Sequence, residues 1–179
     1  NKKTKDYRLI SMGHRNQQGL FYDDILDLII STEHGQKGGD EVNLIIDNKD
    51  KVSNYGWPIA SYSNYYGYET NKIKKNAPFK KSHKDNGFIE PLIYFTPALG
   101  ISQVIKNSSF DFNNNYSYLV TSMAKKKILI INLDNNLNSA TVDDEIYLGE
   151  RIRDIIKFEN ENYLLFLEDS PAIGILNKI

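Results

Sequence analysis

Apolar positions along the chain come in short runs rich in Ile, Leu, Val, Tyr and Phe, bounded by Asn, Asp, Gly, Ser and Lys. That punctuation is the signature of strands closed by turns. The clearest runs are Leu26–Thr32, Val42–Asp47, Leu92–Thr96, Ser117–Ser122, Ile128–Leu133, Glu145–Leu148, Asp154–Phe158, Tyr163–Leu167 and Ile173–Leu176. Tight polar connections separate several of them; Glu159-Asn160-Glu161-Asn162 reads as a hairpin turn. No segment sustains the 3.6-residue apolar stripe of an amphipathic helix. Tyr22–Ile30 comes closest and is short. Many short strands at regular spacing point to an all-β sandwich, barrel or propeller.

Two stretches interrupt the rhythm. Residues 33–41 form a Gly-rich loop between two strands, and residues 62–91 are polar and Tyr-rich. A connection that long is usually functional or disordered. Its tyrosines, Tyr62, Tyr65, Tyr66 and Tyr68, would either line a sugar or aromatic pocket or pack the loop base. The last third repeats in outline: residues 101–148 read as four strands and 151–176 as three more. Four-stranded antiparallel blades are the propeller unit, and a ring needs at least four blades. The chain is therefore expected to be the C-terminal part of one longer propeller domain, with 62–91 as an inserted loop. An N-terminal segment is expected to supply the missing outer strand.

Composition narrows the field. The chain has 179 residues, of which 40% are hydrophobic and 25% charged, with a net charge of −1. These values argue against disorder and against a nucleic-acid partner. The one dense basic run, Lys125-Lys126-Lys127, falls in an expected hairpin turn and reads as a solvated face. Without cysteine there are neither disulfides nor thiolate metal sites. No apolar run approaches the roughly 18 residues that would span a bilayer. Asn1-Lys2-Lys3-Thr4-Lys5-Asp6 has no apolar signal core and no initiator Met, so the true N-terminus is expected upstream.

Four motifs stand above this background, in order: Gly13-His14-Arg15-Asn16 continuing to Gly19, Thr32-Glu33-His34-Gly35-Gln36-Lys37-Gly38-Gly39-Asp40-Glu41 continuing to Asn43, Asn54-Tyr55-Gly56-Trp57-Pro58, and Arg151-Ile152-Arg153-Asp154. Taken together, over nearly the whole chain, they resemble the soluble PQQ-dependent aldose sugar dehydrogenases. These are the glucose/sorbosone dehydrogenase family of six-bladed propellers, and the match falls in about their C-terminal half. PQQ is a flat ortho-quinone with three carboxylates, and guanidinium pairs bidentately with carboxylate. Arg151 and Arg153 alternate on an expected strand and so share a face. The resemblance makes them cofactor-binding, with Arg15 and Asn16 across the cofactor. It also implies a calcium ion on backbone carbonyls of the H-G-x loop, here Gly35 and Gln36. A second, structural calcium would lie near Glu41 and the Tyr55 carbonyl. Calcium takes six to eight oxygen ligands, which a Gly-rich turn can present.

The activity implied is oxidation of an aldose at its anomeric carbon to a lactone, with electrons passed to an external acceptor. Relatives of this kind are typically periplasmic. The family's basic His lies upstream of these motifs, and none of His14, His34 or His83 matches it, so no catalytic base is assigned within this chain. Members that oxidise glucose often carry a Lys where this sequence has Ala124; Lys125 beside it would point to the other face. That departure motivates an alternative, a non-catalytic propeller that binds a sugar or a protein.

The same residues also have plainer readings. Gly13–Asn16 could be only a turn, and Arg151 and Arg153 could pair with Glu150 and Asp154. Asp40 and Glu41 diverge as strand neighbours and make a poor glycosidase pair. His14 and His34 read as structural, and Trp57-Pro58 as a packed turn.

Overall fold

The structure, a computed structural model, describes residues 7–65, 79–108 and 116–177. A two-residue strand β1 (Ser11–Met12) leads into the first sheet, made of β2 (Gln17–Asp23), β3 (Leu28–Glu33) and β4 (Asp40–Ile45). The chain then passes β5 (Ser53–Asn54), which pairs in parallel with β1, and closes the sheet with β6 (Ile93–Phe95). The second sheet is an antiparallel meander of β7 (Ile101–Lys106), β8 (Ser117–Ser122), β9 (Lys127–Leu133) and β10 (Ala140–Tyr147). The third holds β11 (Ile152–Lys157), β12 (Tyr163–Leu167) and β13 (Ala172–Leu176). These are three consecutive blades of a β-propeller. Among the described residues, no helix is long and apolar enough to cross a membrane.

The middle blade shows why the sequence folds this way. Tyr118-Leu119-Val120 and Ile128-Leu129-Ile130-Ile131 are continuous apolar runs because both faces of this sheet are covered. Strand alternation then divides the runs. Tyr118, Val120, Leu129 and Ile131 pack with Ile30 and Val42 of the first blade, whereas Leu119, Ile128 and Ile130 pack with Ile152, Ile155, Tyr163 and Leu165 of the third. Each such side chain contributes about 1.5–3 kcal/mol by leaving water. The outer strand β10 is mostly exposed and correspondingly polar.

The inner strands β2, β7 and β11 lie side by side. Polar side chains tie them together. The Thr32 hydroxyl donates to the Ser102 carbonyl, and the Ser102 hydroxyl donates to the Ile152 carbonyl at 2.6 Å, so a buried relay crosses all three blades. Near the opposite end of β2, Asp23 accepts from Lys106 Nζ at 2.9 Å and from Tyr118 OH at 2.8 Å. Burial pushes the Asp23 carboxyl up, but these two bonds, the Leu26 backbone N–H and the charge of Lys106 together hold the group below its ordinary range.

Most expected strands are present, several with shifted ends. Leu26–Thr32 becomes Leu28–Glu33, because residues 24–27 form a turn with Asp27 at φ 53°. Glu33 and Asp40-Glu41 belong to β3 and β4, which shortens the expected 33–41 loop to 34–39. Strand β2 was not anticipated as a run: its Gly19 and Leu20 blur the alternation, and Leu20 is exposed. The hairpin turn at 159–162 is a short 3-10 turn. Of the long Tyr-rich segment, Tyr66 and Tyr68 lie outside the described residues.

Candidate functional site

One carboxylate organises the first wall. Glu33, at the end of β3, is buried. It accepts from the Arg15 backbone N–H at 2.6 Å and from the Asn43 side-chain amide at 2.9 Å, and it meets His14 Nδ1 at 3.2 Å. Gly13 permits this turn. Its φ is +77°, and a Cβ there would lie 2.7 Å from the Gly56 nitrogen. His14 stacks on Tyr55 at 4.6 Å and reaches Ser11 Oγ at 3.0 Å. The guanidinium of Arg15 then extends to the Gly-rich loop, where Nη1 donates to the carbonyls of His34 (3.0 Å) and Gly35 (2.8 Å). Its carbon end sits 5.5 Å from the Trp57 ring.

Asp40 anchors the far side of that loop. It accepts from the backbone N–H groups of Gly35, Leu99, Gly100 and Ile101, so it fastens the first blade to the entry of the second. His34 Nε2 meets the Ile101 carbonyl at 2.6 Å. Gly35 is hemmed in by carbonyl oxygens: a Cβ there would come within 2.0 Å of Gly38 O and 2.6 Å of Gly39 O. The Gly35 carbonyl, one of the two expected calcium ligands, here accepts from the Arg15 guanidinium.

The second wall lies two blades away. Arg151 Nε donates to Glu168 Oε2 at 3.2 Å, and Arg153 Nε donates to Glu168 Oε1 at 2.6 Å. The two arginines grip one carboxylate between them. Their partner is Glu168 and not Glu150 or Asp154, because the hairpin brings the end of β12 across from the start of β11. Arg153 Nη1 also donates to Gln18 Oε1 at 3.4 Å, and Gln18 Nε2 donates to Asn16 Oδ1 at 3.0 Å. Through Gln18 the two walls, and all four expected cofactor residues, belong to one region. Ala124 and Lys125 are exposed in the β8–β9 turn, and Lys126 pairs with Asp169 at 2.7 Å.

Behind the first wall is a small cavity of about 10 Å³, lined in part by Glu33, Glu41, Tyr55, Ser61 and His83. That is room for one water-sized body. Glu41 is buried beside it; burial first, then the charge of Glu33, pushes its carboxyl up to about 8. His83 is 1% exposed, lies 3.6 Å from Glu41 Oε1 and stacks on Tyr62 at 5.1 Å. Among the described residues, neither nitrogen of His83 nor Oδ1 of Asn43 has a hydrogen-bond partner. Buried polar atoms left in this state favour a bound polar body.

Sequence reasoning missed Glu33 as an organiser, although it lies inside a quoted motif, because nothing in sequence tells a buried acceptor from a solvated one. Gln18 also lay within a quoted motif. Glu168 and His83 lay outside every motif, and only folding brings them in. Tyr62 packs the loop base, stacked 3.7 Å from Tyr94. Tyr65 meets Phe79, which packs on Trp57 along an open groove of about 450 Å³ beside Gln36.

A family model described as Glucose / Sorbosone dehydrogenase matches residues 1–176. An uncharacterized protein of Synechocystis sp., slr1608, is 34% identical over 146 residues, covering 81% of this chain and 32% of the relative. The aldose sugar dehydrogenase YliI of Escherichia coli is 30% identical over 169 residues, 93% of this chain and 42% of that protein. The chain thus spans less than half the length of either relative. Among solved structures, the soluble aldose sugar dehydrogenase of E. coli in its apo form superposes with a TM-score of 0.72, covering 93% of this chain and 45% of that one. A PQQ-bound aldose sugar dehydrogenase of Streptomyces coelicolor gives 0.56, over 87% and 38%. Both are 24% identical, a likeness of fold.

Proposed function

Because the chain belongs to the glucose/sorbosone dehydrogenase family, we propose that it forms the cofactor-binding half of a PQQ-dependent aldose sugar dehydrogenase. The observation that carries this reading is the pair Arg151 and Arg153, which already hold one carboxylate between them. That two guanidinium groups already share one carboxylate supports the reading that they would pair with a carboxylate of the cofactor. Arg15 and Asn16 would approach the cofactor from the other wall, with Gln18 bridging the two.

PQQ, when bound, would supply an ortho-quinone able to accept a hydride, and a calcium ion held by the Gly35 and Gln36 carbonyls would supply polarising charge, with Gly35 then shared with Arg15. What the chain itself contributes is orientation. Glu33 fixes the backbone of Arg15, and Asp40 fixes the loop that presents Gly35. The cavity at Glu41 and the Tyr55 carbonyl would hold a second, structural calcium. No histidine described here is placed as the general base: His14 and His34 are engaged as above, and His83 is buried. The base is assigned to the remainder of the propeller, upstream of these blades, which together would close a six-bladed ring. The substrate would be an aldose, the electrons would pass to an external acceptor, and the enzyme would work in the periplasm or outside the cell.

Calorimetric titration of PQQ into the full-length protein tests this, with calcium present and with calcium chelated. Calcium-dependent binding, followed by turnover on a panel of aldoses, is the expected result. Absence of binding in both conditions would replace it with a non-catalytic propeller, the reading that Ala124 favours.

A further inference from the structure

The two guanidinium groups are not waiting empty. All three nitrogens of Arg153 face acceptors: Nε and Nη2 meet Glu168 Oε1, each at 2.6 Å, and Nη1 meets Gln18 Oε1 at 3.4 Å. Arg151 Nε holds the other Glu168 oxygen. A carboxylate entering from outside must therefore compete with one built into the chain. We propose that Glu168 is a resident competitor for the cofactor's carboxylate, a positioning residue that sets cofactor affinity by occupying the paired forks. This rests on the reading of Arg151 and Arg153 as cofactor-binding.

The charges give the direction. Arg151, Arg153 and Glu168 together carry one net positive charge, and without the carboxylate they would carry two. The cofactor is polyanionic, so Glu168 both blocks its hydrogen-bond donors and repels it. Both arginines and Glu168 are part-exposed. Exchange of one carboxylate for the other then needs only side-chain rotation, and screening keeps the effect moderate. The benefit of the resident group is that two neighbouring cations are never left unpaired when the site is without cofactor. Glu168 also holds both forks on one face, ready for an anion of the same geometry.

The experiment is PQQ titration, with calcium, into full-length wild type, Glu168→Gln, Glu168→Asp and Arg153→Ala. Glu168→Gln keeps the shape and removes the charge, and it should tighten PQQ binding about tenfold. Added salt should weaken PQQ binding more steeply in this variant than in wild type, because more net charge is engaged. Glu168→Asp keeps the charge and should stay near wild type, which separates charge from space. A structural bracket would behave oppositely, so unchanged or weaker binding in Glu168→Gln overturns the proposal. Equal tightening in Gln and Asp overturns it too. If wild type binds PQQ and Arg153→Ala does not, the functional reading stands whichever way Glu168 falls. If neither wild type nor Glu168→Gln binds, that reading fails and takes this one with it.

Discussion

The two walls of the candidate site are built on different principles. Around Arg15 the polar groups are buried and locked: Glu33 is 4% exposed and serves a backbone N–H, an imidazole and an amide at once. Around Arg151 and Arg153 the same chemistry, guanidinium with carboxylate, is part-exposed, with 40% and 41% of the arginine side chains accessible. A buried network fixes geometry and is costly to break, because each lost partner strands another in low dielectric. A part-exposed pair contributes little to stability and exchanges its partner easily. One wall is therefore a frame and the other a grip.

The sharpest way to break that contrast is Glu33→Ala. It should strand the Arg15 N–H, His14 and Asn43 together, and lower unfolding stability by about 3 kcal/mol. Denaturant titration would show it, and a loss below about 1 kcal/mol would mean that the first wall is not a frame. Arg153→Ala should do the reverse. Its PQQ affinity is expected to fall about a hundredfold by calorimetry while the melting midpoint barely moves. Asp23→Asn lies between the two, since it cuts the buried link to Lys106 and Tyr118; a loss of about 2 kcal/mol is expected.

Asp23 also has a pH signature. Its folded carboxyl is held below the ordinary value of 3.8. Its contribution is therefore complete above that value and is lost as pH falls through the lower folded one. Acid melts of wild type and Asp23→Asn should converge in that window. The smallest effect is expected at Lys126→Ala, where the partner Asp169 is exposed to solvent. Its melting midpoint should match wild type in physiological salt.

How much of this was legible beforehand depended on whether a residue's role is local. The middle blade was plain because its core is made of contiguous apolar runs, and Ser117–Ser122 and Tyr163–Leu167 have the bounds expected. Strand β10 was recognised only in its last residues, since an outer strand exposed to solvent carries no apolar alternation. That Arg151 and Arg153 point the same way was expected from strand alternation, and they do meet one carboxylate, but Arg151 precedes β11 and the ladder is irregular between Ile152 and Asp154. What they grip was not expected, because Glu168 reaches them through the register of β11 with β12. Gln18 was in view as part of a motif, yet its bridging role depends on how the first and third blades approach each other.

That approach is set by the buried relay from Thr32 through Ser102 to Ile152. Apolar side chains are compliant spacers: rotamers shift, and a contact of about 4 Å can relax by a fraction of an ångström at small cost. A hydrogen bond is a stiff one, weakening steeply when stretched or bent. The span from Arg15 to Arg153 crosses two blade boundaries, and each carries one of these rigid spacers. Their errors do not accumulate as they would across two greasy contacts. Three twisted sheets are thereby gauged to one another like blocks in a measuring stack, and the calibrated length is the gap between the frame and the grip.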